Sequence, residues 1–401
     1  MLAAPILTYY YSTEIFGVFT LYFSVANSIA VIATLRYELA IMLPEKEDDA
    51  KQLVNISLLM TLGLSILTLL VMLVSRSYWA TWLDASDLNL FLLLAAFSVL
   101  STGIFQTLIM FATRKEQFKR SSYMRVVQSL TFASFPVVFY YLGFHSSGLV
   151  IGYVVSQVVT TFIFSLVSLR VISSAIHIWN WNAMRSQMIR YKGFPGFNSL
   201  HAFMDMVQVS VMNFLIAILY GQAALGLYSM AYRVLRAPLG IIGSAISQVL
   251  YQKMSDNYNK GISNYTLYRS TVKGIGLFSI PLFSLIALIA PAAFGFFLGA
   301  GWVEAGWYAV YMTPLFIFTF ISSPLSHLPN INSKQGTFLT MVLSINLFAF
   351  SFFYILRIFS GIIYFSLLAY SIIWMLGSLA ILYWFKQLSQ KSLQFNSETD
   401  E

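Results

Sequence analysis

Apolar runs of about 20 residues recur from one end of this chain to the other, and they constrain its fold more than any other feature. A helix of about 20 apolar residues spans the ~30 Å hydrocarbon core of a bilayer. A transmembrane β-barrel would instead alternate in segments of about ten residues. Only 9% of the 401 residues are charged, against roughly 25% in a soluble domain. The chain therefore reads as an all-α polytopic membrane protein. Eleven spans are predicted, at about 15–43, 53–74, 88–111, 123–142, 148–170, 198–219, 223–250, 272–298, 303–326, 337–356 and 361–385. The absence of cysteine excludes disulfides and thiolate metal sites.

Lys and Arg residues divide unevenly between the two sets of connections. One set holds only Arg76 and Arg357, while Arg36, Arg233 and Arg236 lie within spans and the remainder fall in the other set. The positive-inside rule assigns the richer set, and the C-terminus, to the cytoplasm. An odd number of spans then puts the N-terminus outside. Residues 171–197 differ from the other connections. Trp179, Trp181, Met184 and Met188 stand among Arg185, Arg190 and Lys192, the pattern of an amphipathic stretch in the cytoplasmic interface. This segment separates an N-terminal helical lobe, 1–170, from a C-terminal lobe, 198–386, followed by a polar cytoplasmic tail, 387–401.

The two lobes look related. Phe16-Gly17-Val18-Phe19-Thr20-Leu21-Tyr22 opens a long helix in the first, and Leu225-Gly226-Leu227-Tyr228-Ser229-Met230-Ala231 opens one in the second. Both run the same way across the membrane, which suggests a parallel repeat. On this reading the first lobe is one helix short, and Met1–Thr8 is the end of a helix whose beginning is absent.

Charges at bilayer depth are costly, at least about 2.5 kcal/mol on insertion scales, so they need a partner or a task. Ser229, Arg233, Arg236 and Ser247 share one face of the helix that starts near Ala223. Small residues alone would suit a packing seam, but two guanidinium groups favour a cavity wall. Pro238 is expected to bend this helix. In the preceding span His201, Asp205 and Gln208 share a face, and Asp205 could be a structural counter-ion or a proton or cation site. In the first lobe Asn27 belongs to a polar stripe that ends near Glu38. Arg36 stands two residues from Glu38, so on a continuous helix the two diverge. Glu38 is then expected to hydrate at the cytoplasmic end, and Arg36 either to snorkel or to contact substrate. The run Thr113–Arg120 is explained chiefly by topology, with attraction for anionic headgroups as a further role.

No catalytic motif is present: no phosphate-binding Gly-Lys-Ser loop, no HExxH, no Gly-x-Ser-x-Gly. No metal site, cofactor or nucleic-acid partner is implied. With no room for an ATPase domain, transport would draw on an ion gradient or on the substrate's own gradient.

Two phrases carry a family resemblance. Phe16–Phe19 with Ala33-Thr34-Leu35-Arg36-Tyr37-Glu38-Leu39-Ala40-Ile41-Met42-Leu43-Pro44, and Leu225–Arg233 followed by Pro238-Leu239 and Ser247-Gln248-Val249, resemble the polysaccharide exporters, the Wzx-type O-antigen flippases. The resemblance implies the multidrug/oligosaccharidyl-lipid/polysaccharide exporter fold, two helical lobes with typically twelve helices around a cavity. It also implies a bacterial inner-membrane location and an undecaprenyl-diphosphate-linked oligosaccharide as cargo. Membrane lipids, a polysaccharide polymerase and a chain-length regulator are the implied partners. Planar arginine forks suit a diphosphate, so Arg233, Arg236 and Arg36 are the expected headgroup contacts. Asp205 and Glu38 are the expected counter-ions or coupling groups, and Asn27, His201, Gln208, Ser229 and Ser247 the expected polar wall. A cation-coupled multidrug antiporter, a membrane polymerase and a non-transporting scaffold are the competing readings.

Overall fold

The structure is a computed structural model and describes residues 4–390. Met1–Ala3 and residues 391–401, the outer part of the expected tail, lie outside the described residues. Among those described, every regular element is helical. The chain forms two compact units, Leu2–Gly226 and Leu227–Glu401.

The first unit contains α1 (Ala4–Tyr10), α2 (Thr13–Ala30), α3 (Tyr37–Ala40), α4 (Glu47–Trp82), α5 (Leu88–Arg114), α6 (Phe118–Tyr141), α7 (Gly148–Val167), α8 (Leu169–His177), α9 (Trp181–Arg190) and the first part of α10 (Ser199–Pro238). The second holds the end of α10, a π-helical turn at Leu239–Gly243, α11 (Ser244–Asn259), α12 (Tyr265–Leu298), α13 (Val303–Ser322), α14 (Leu328–Ile331), α15 (Gln335–Ser360) and α16 (Ile363–Gln390). Every predicted span has a helix. The spans 198–219 and 223–250 are separated by Gly221, whose φ of 87° and ψ of 175° break α10. Among the described residues, eight stretches are long and apolar enough to cross a membrane, and one of them, Phe194–Asn259, contains both of those spans. The chain is a multi-pass membrane protein.

The packing is inverted relative to a soluble bundle. On α4 the buried face carries Ser57, Thr61, Ser65 and Thr68, while Leu62, Ile66, Leu70 and Val74 are exposed. Lipid offers no hydrophobic penalty to leucine, so along this stretch of α4 interhelical contact falls to small and polar residues. Their hydroxyls find carbonyl partners: Thr61 back-bonds to the Ser57 carbonyl at 2.7 Å within α4, and Ser65 donates across to the Ala96 carbonyl of α5 at 2.8 Å. The same back-bonding satisfies the polar stripe of α2, where Thr20 donates to Phe16 and Ser24 to Thr20, each at 2.8 Å.

The segment expected at the interface forms α8 and α9, which pack on α4. Ala175 and Met184 are buried with Leu53, Ile56 and Phe111, and Asn55 donates to the Ala175 carbonyl at 2.7 Å. Trp179 and Trp181 stay exposed. The helix Ser199–Tyr220, expected with the C-terminal lobe, groups with the first unit. Asn213 Nδ2 donates to Ser24 Oγ at 2.8 Å, and Ser28 and Ser210 share a hydrogen bond of 2.9 Å.

The two repeat-like phrases meet at their glycines. A Cβ on Gly17 would lie 2.0 Å from the Gln222 carbonyl oxygen, and one on Gly226 would lie 1.9 Å from that of Thr13 and 3.1 Å from Gly17 N. Backbone touches backbone here, so neither position tolerates a methyl group without movement of a whole segment. Gly17→Ala is expected to destabilise by ~1–3 kcal/mol through overpacking. Gly63→Ala, where nothing lies within 4 Å, should be neutral or stabilise by up to about 1 kcal/mol. Unfolding in detergent measures both, and equal stability of the two variants would contradict this packing.

Candidate functional site: a polar cavity in the first unit

The predicted helix 15–43 is not continuous. It stops at Ala30, runs through turns over Val31–Arg36 and resumes as α3. Backbone bonds tighten to three-residue steps, with Ile32 N to Ile29 O and Ala33 N to Ala30 O at 3.1 Å and Leu35 N to Ile32 O at 2.8 Å. Leu35 and Arg36 adopt left-handed φ values of 49° and 61°, a conformation that costs ~1–2 kcal/mol per L-residue.

Packing and a guanidinium clamp hold this strained segment. Tyr37, Ala40 and Ile41 are buried in the cluster with Leu53, Ile56 and Phe111, and the Tyr37 hydroxyl donates to the Met188 carbonyl at 3.2 Å. Arg114, the last residue of α5, donates through Nη1 to the Ile41 carbonyl at 2.9 Å and through Nη2 to the Pro44 carbonyl at 2.6 Å. Its neighbour Lys115 pairs with Glu47 at 2.6 Å. These members of the basic run are therefore fastening the turn that follows α3.

The break overturns two expectations. Arg36 and Glu38, which a continuous helix would separate, are paired: Arg36 Nη1 lies 3.4 Å from Glu38 Oε1. Glu38, expected to hydrate, is 1% exposed, and its second oxygen accepts from the Thr34 hydroxyl. A buried carboxylate needs such partners, because removal from water costs several kcal/mol per ion.

The pair opens onto a cavity of about 370 Å³. Asn27 from α2, Gln106 from α5, Arg125 and Gln128 from α6 and Gln157 from α7 complete its polar wall, beside Leu39, Phe105, Ile109 and Met110. Two guanidinium groups and one carboxylate thus line the cavity, and Arg36 is the one that pairs with Glu38. Three buried atoms on this wall, Arg36 Nε, Gln106 Oε1 and Gln157 Oε1, have no hydrogen-bond partner within the protein. Leaving such an atom unsatisfied costs about 1–3 kcal/mol, and each of the three has almost no accessible surface.

Of the residues singled out from sequence, Arg36, Glu38 and Asn27 come together here. His201, Asp205 and Gln208 belong to the same unit but not to this wall. Asp205 pairs within its own helix, with Oδ2 lying 3.2 Å from His201 Nδ1 and both side chains largely exposed. Arg233, Arg236, Ser229 and Ser247 belong to the second unit. There the Arg236 guanidinium lies 5.6 Å from the Tyr232 ring centroid and donates to its hydroxyl. Ser229 is buried, Arg233 and Ser247 half-buried. Past Pro238, where a bend is expected, the helix changes to the π-helical turn Leu239–Gly243.

Sequence reasoning passed over Arg125, counted among the topological charges, and Gln106, Gln128 and Gln157. A signal was available. Arg125 and Gln128 stand three apart inside a predicted span and so share a helix face.

The clamp makes a prediction. Arg114→Ala removes two charge-assisted bonds from the 31–44 segment and should lower its local opening free energy by ~2 kcal/mol. Hydrogen exchange of those amides should then accelerate by about thirtyfold, with Arg114→Lys intermediate. Unchanged exchange in Arg114→Ala would show that packing alone holds the turn.

Nine chains of solved structure resemble this fold. An inward-facing multidrug resistance MATE family transporter of the MOP superfamily matches at a TM-score of 0.74 and 16% identity, over 99% of this chain and 95% of that one. The lipid II flippase MurJ, in an inward closed conformation, matches at 0.70 and 17% identity, over 98% and 87%. At such identities the likeness establishes the exporter fold. Among curated proteins compared by sequence, none matches. A family model described as "polysaccharide biosynthesis protein" matches residues 6–306, and the chain therefore belongs to the polysaccharide biosynthesis protein family.

Proposed function

We propose that this protein is a flippase that moves undecaprenyl-diphosphate-linked oligosaccharide across a bacterial inner membrane by alternating access, for O-antigen or a related surface polysaccharide. The observation that carries the reading is the cavity wall, where Arg36 and Arg125 stand with four carboxamides at the edge of a span. Guanidinium groups bind phosphate oxygens in forked, charge-assisted bonds. Carboxamides both donate and accept, as sugar hydroxyls require. The lipid tail can remain in the bilayer while the headgroup passes through the protein. Family membership and the likeness to a lipid II flippase support the same substrate class. The basic connections support a cytoplasmic C-terminus.

Arg233 and Arg236 are proposed as headgroup contacts contributed by the second unit. Polymerase and chain-length regulator proteins are proposed partners on the strength of the family alone. An enzymatic polymerase fits less well, because α4 runs to Trp82 and leaves only Leu83–Asp87 before α5. A cation-coupled multidrug antiporter is the second reading, favoured by the buried carboxylate of Glu38 on the cavity wall and by the MATE likeness.

Proteoliposomes carrying a fluorescent undecaprenyl-diphosphate sugar test the proposal. Arg36→Ala and Arg125→Ala should each slow translocation by about 10- to 100-fold, the worth of one charge-assisted bond. Arg233→Ala and Arg236→Ala, at normal expression, should reduce surface polysaccharide. Undiminished translocation in the first pair would refute the cavity assignment, and undiminished polysaccharide in the second pair would refute theirs. Cation-dependent drug efflux without lipid translocation would establish the antiporter reading.

A further inference from the structure

The flippase reading leaves one wall residue unexplained. Glu38 places a carboxylate in a cavity meant for an anion, where it occupies one guanidinium group of the pair. We infer that Glu38 is an internal competitor of the headgroup: it holds Arg36 when the cavity is free of substrate, and takes it back when substrate leaves.

The inference rests on the proposed function, and the geometry gives it content. Glu38 Oε1 takes Arg36 Nη1 at 3.4 Å, a longer contact than the 2.7–2.9 Å of a strong N–H···O pair between ions. Arg36 retains an unpartnered Nε, so its fork is engaged on one edge only. Glu38 does not depend on Arg36 alone, because its other oxygen accepts from the buried Thr34 hydroxyl. The carboxylate can thus remain hydrogen-bonded while Arg36 turns to a phosphate oxygen. Both groups sit at the left-handed turn, and Arg114 fastens the backbone beyond α3 at the Ile41 and Pro44 carbonyls.

Transport gives the arrangement a purpose. A site that carries cargo across a membrane must bind well enough to load and weakly enough to unload. Two unopposed arginines at one site would attract a diphosphate together, and charge interactions strengthen as the effective dielectric falls. One like charge on the wall opposes every bound anion and offers Arg36 a replacement partner at release. Glu38 therefore sets the depth of the binding well, trading affinity for turnover.

Glu38→Gln tests this directly. The carboxamide keeps an oxygen for Thr34 and for Arg36 but removes the charge. Purified full-length protein in phosphatidylcholine nanodiscs, titrated with undecaprenyl diphosphate, should bind about tenfold tighter, the effect of one like charge roughly 10 Å away at an effective dielectric constant of about 20. In proteoliposomes the same variant should show a lower KM and a lower kcat for a labelled undecaprenyl-diphosphate sugar. A merely structural role would raise KM or leave it unchanged. Thr34→Val should act in the opposite direction. Without the hydroxyl the carboxylate relies wholly on Arg36, and binding should weaken by about threefold, the loss of one hydrogen bond. Glu38→Gln of wild-type thermal stability that binds no tighter would overturn the inference. Should Glu38→Gln fail to fold, unchanged or tighter binding by Thr34→Val would overturn it. Failure of the wild type itself to bind undecaprenyl diphosphate would instead refute the flippase reading.

Discussion

Much of this site depends on one buried ion pair. Arg36 and Glu38 stand 3.4 Å apart at the end of a membrane-embedded helix, where a single charge would cost at least about 2.5 kcal/mol. They can meet only because the helix breaks. The break requires two left-handed residues, and that strain is offset by the burial of Tyr37, Ala40 and Ile41 and by the two bonds of Arg114. Strained backbone of this kind persists where its surroundings over-determine it, and such places are commonly functional.

The large-scale fold was legible in the sequence, because the bilayer imposes a length and an apolarity on each span that no soluble context demands. Every predicted span contains a helix, although the first is broken at Val31–Arg36. The glycines of Phe16-Gly17-Val18-Phe19 and Leu225-Gly226-Leu227-Tyr228 were noticed as a repeat, and in the fold they touch. That contact was not legible, since a repeat speaks of equivalence and not of proximity.

The candidate site was legible only in part. Arg36, Glu38 and Asn27 were marked because they are polar within an apolar span. Their pairing was missed because helical periodicity presumes an unbroken helix, and Ala30–Arg36 contains neither Gly nor Pro to announce a break. Packing of Tyr37, Ala40 and Ile41 against Leu53, Ile56 and Phe111, which lie further along the chain, supports it instead. Arg125 was missed for a different reason. The positive-inside rule absorbs every basic residue near the end of a span, including one that lines a cavity.

Physically, the cavity combines two guanidinium groups, four carboxamides and one carboxylate, contributed by α2, α3, α5, α6 and α7 of the first unit. The most direct test of its role is the location of bound substrate. A photoreactive undecaprenyl-diphosphate sugar, crosslinked in native membranes and mapped by mass spectrometry, should label residues 27–39 of α2 and its broken end together with residues 102–128 of α5 and α6, and unlabelled undecaprenyl diphosphate should compete the adducts away. Adducts confined to the outward face of α4, around Leu62–Val74, would mean that the lipid merely coats the protein and that the cavity does not receive its headgroup.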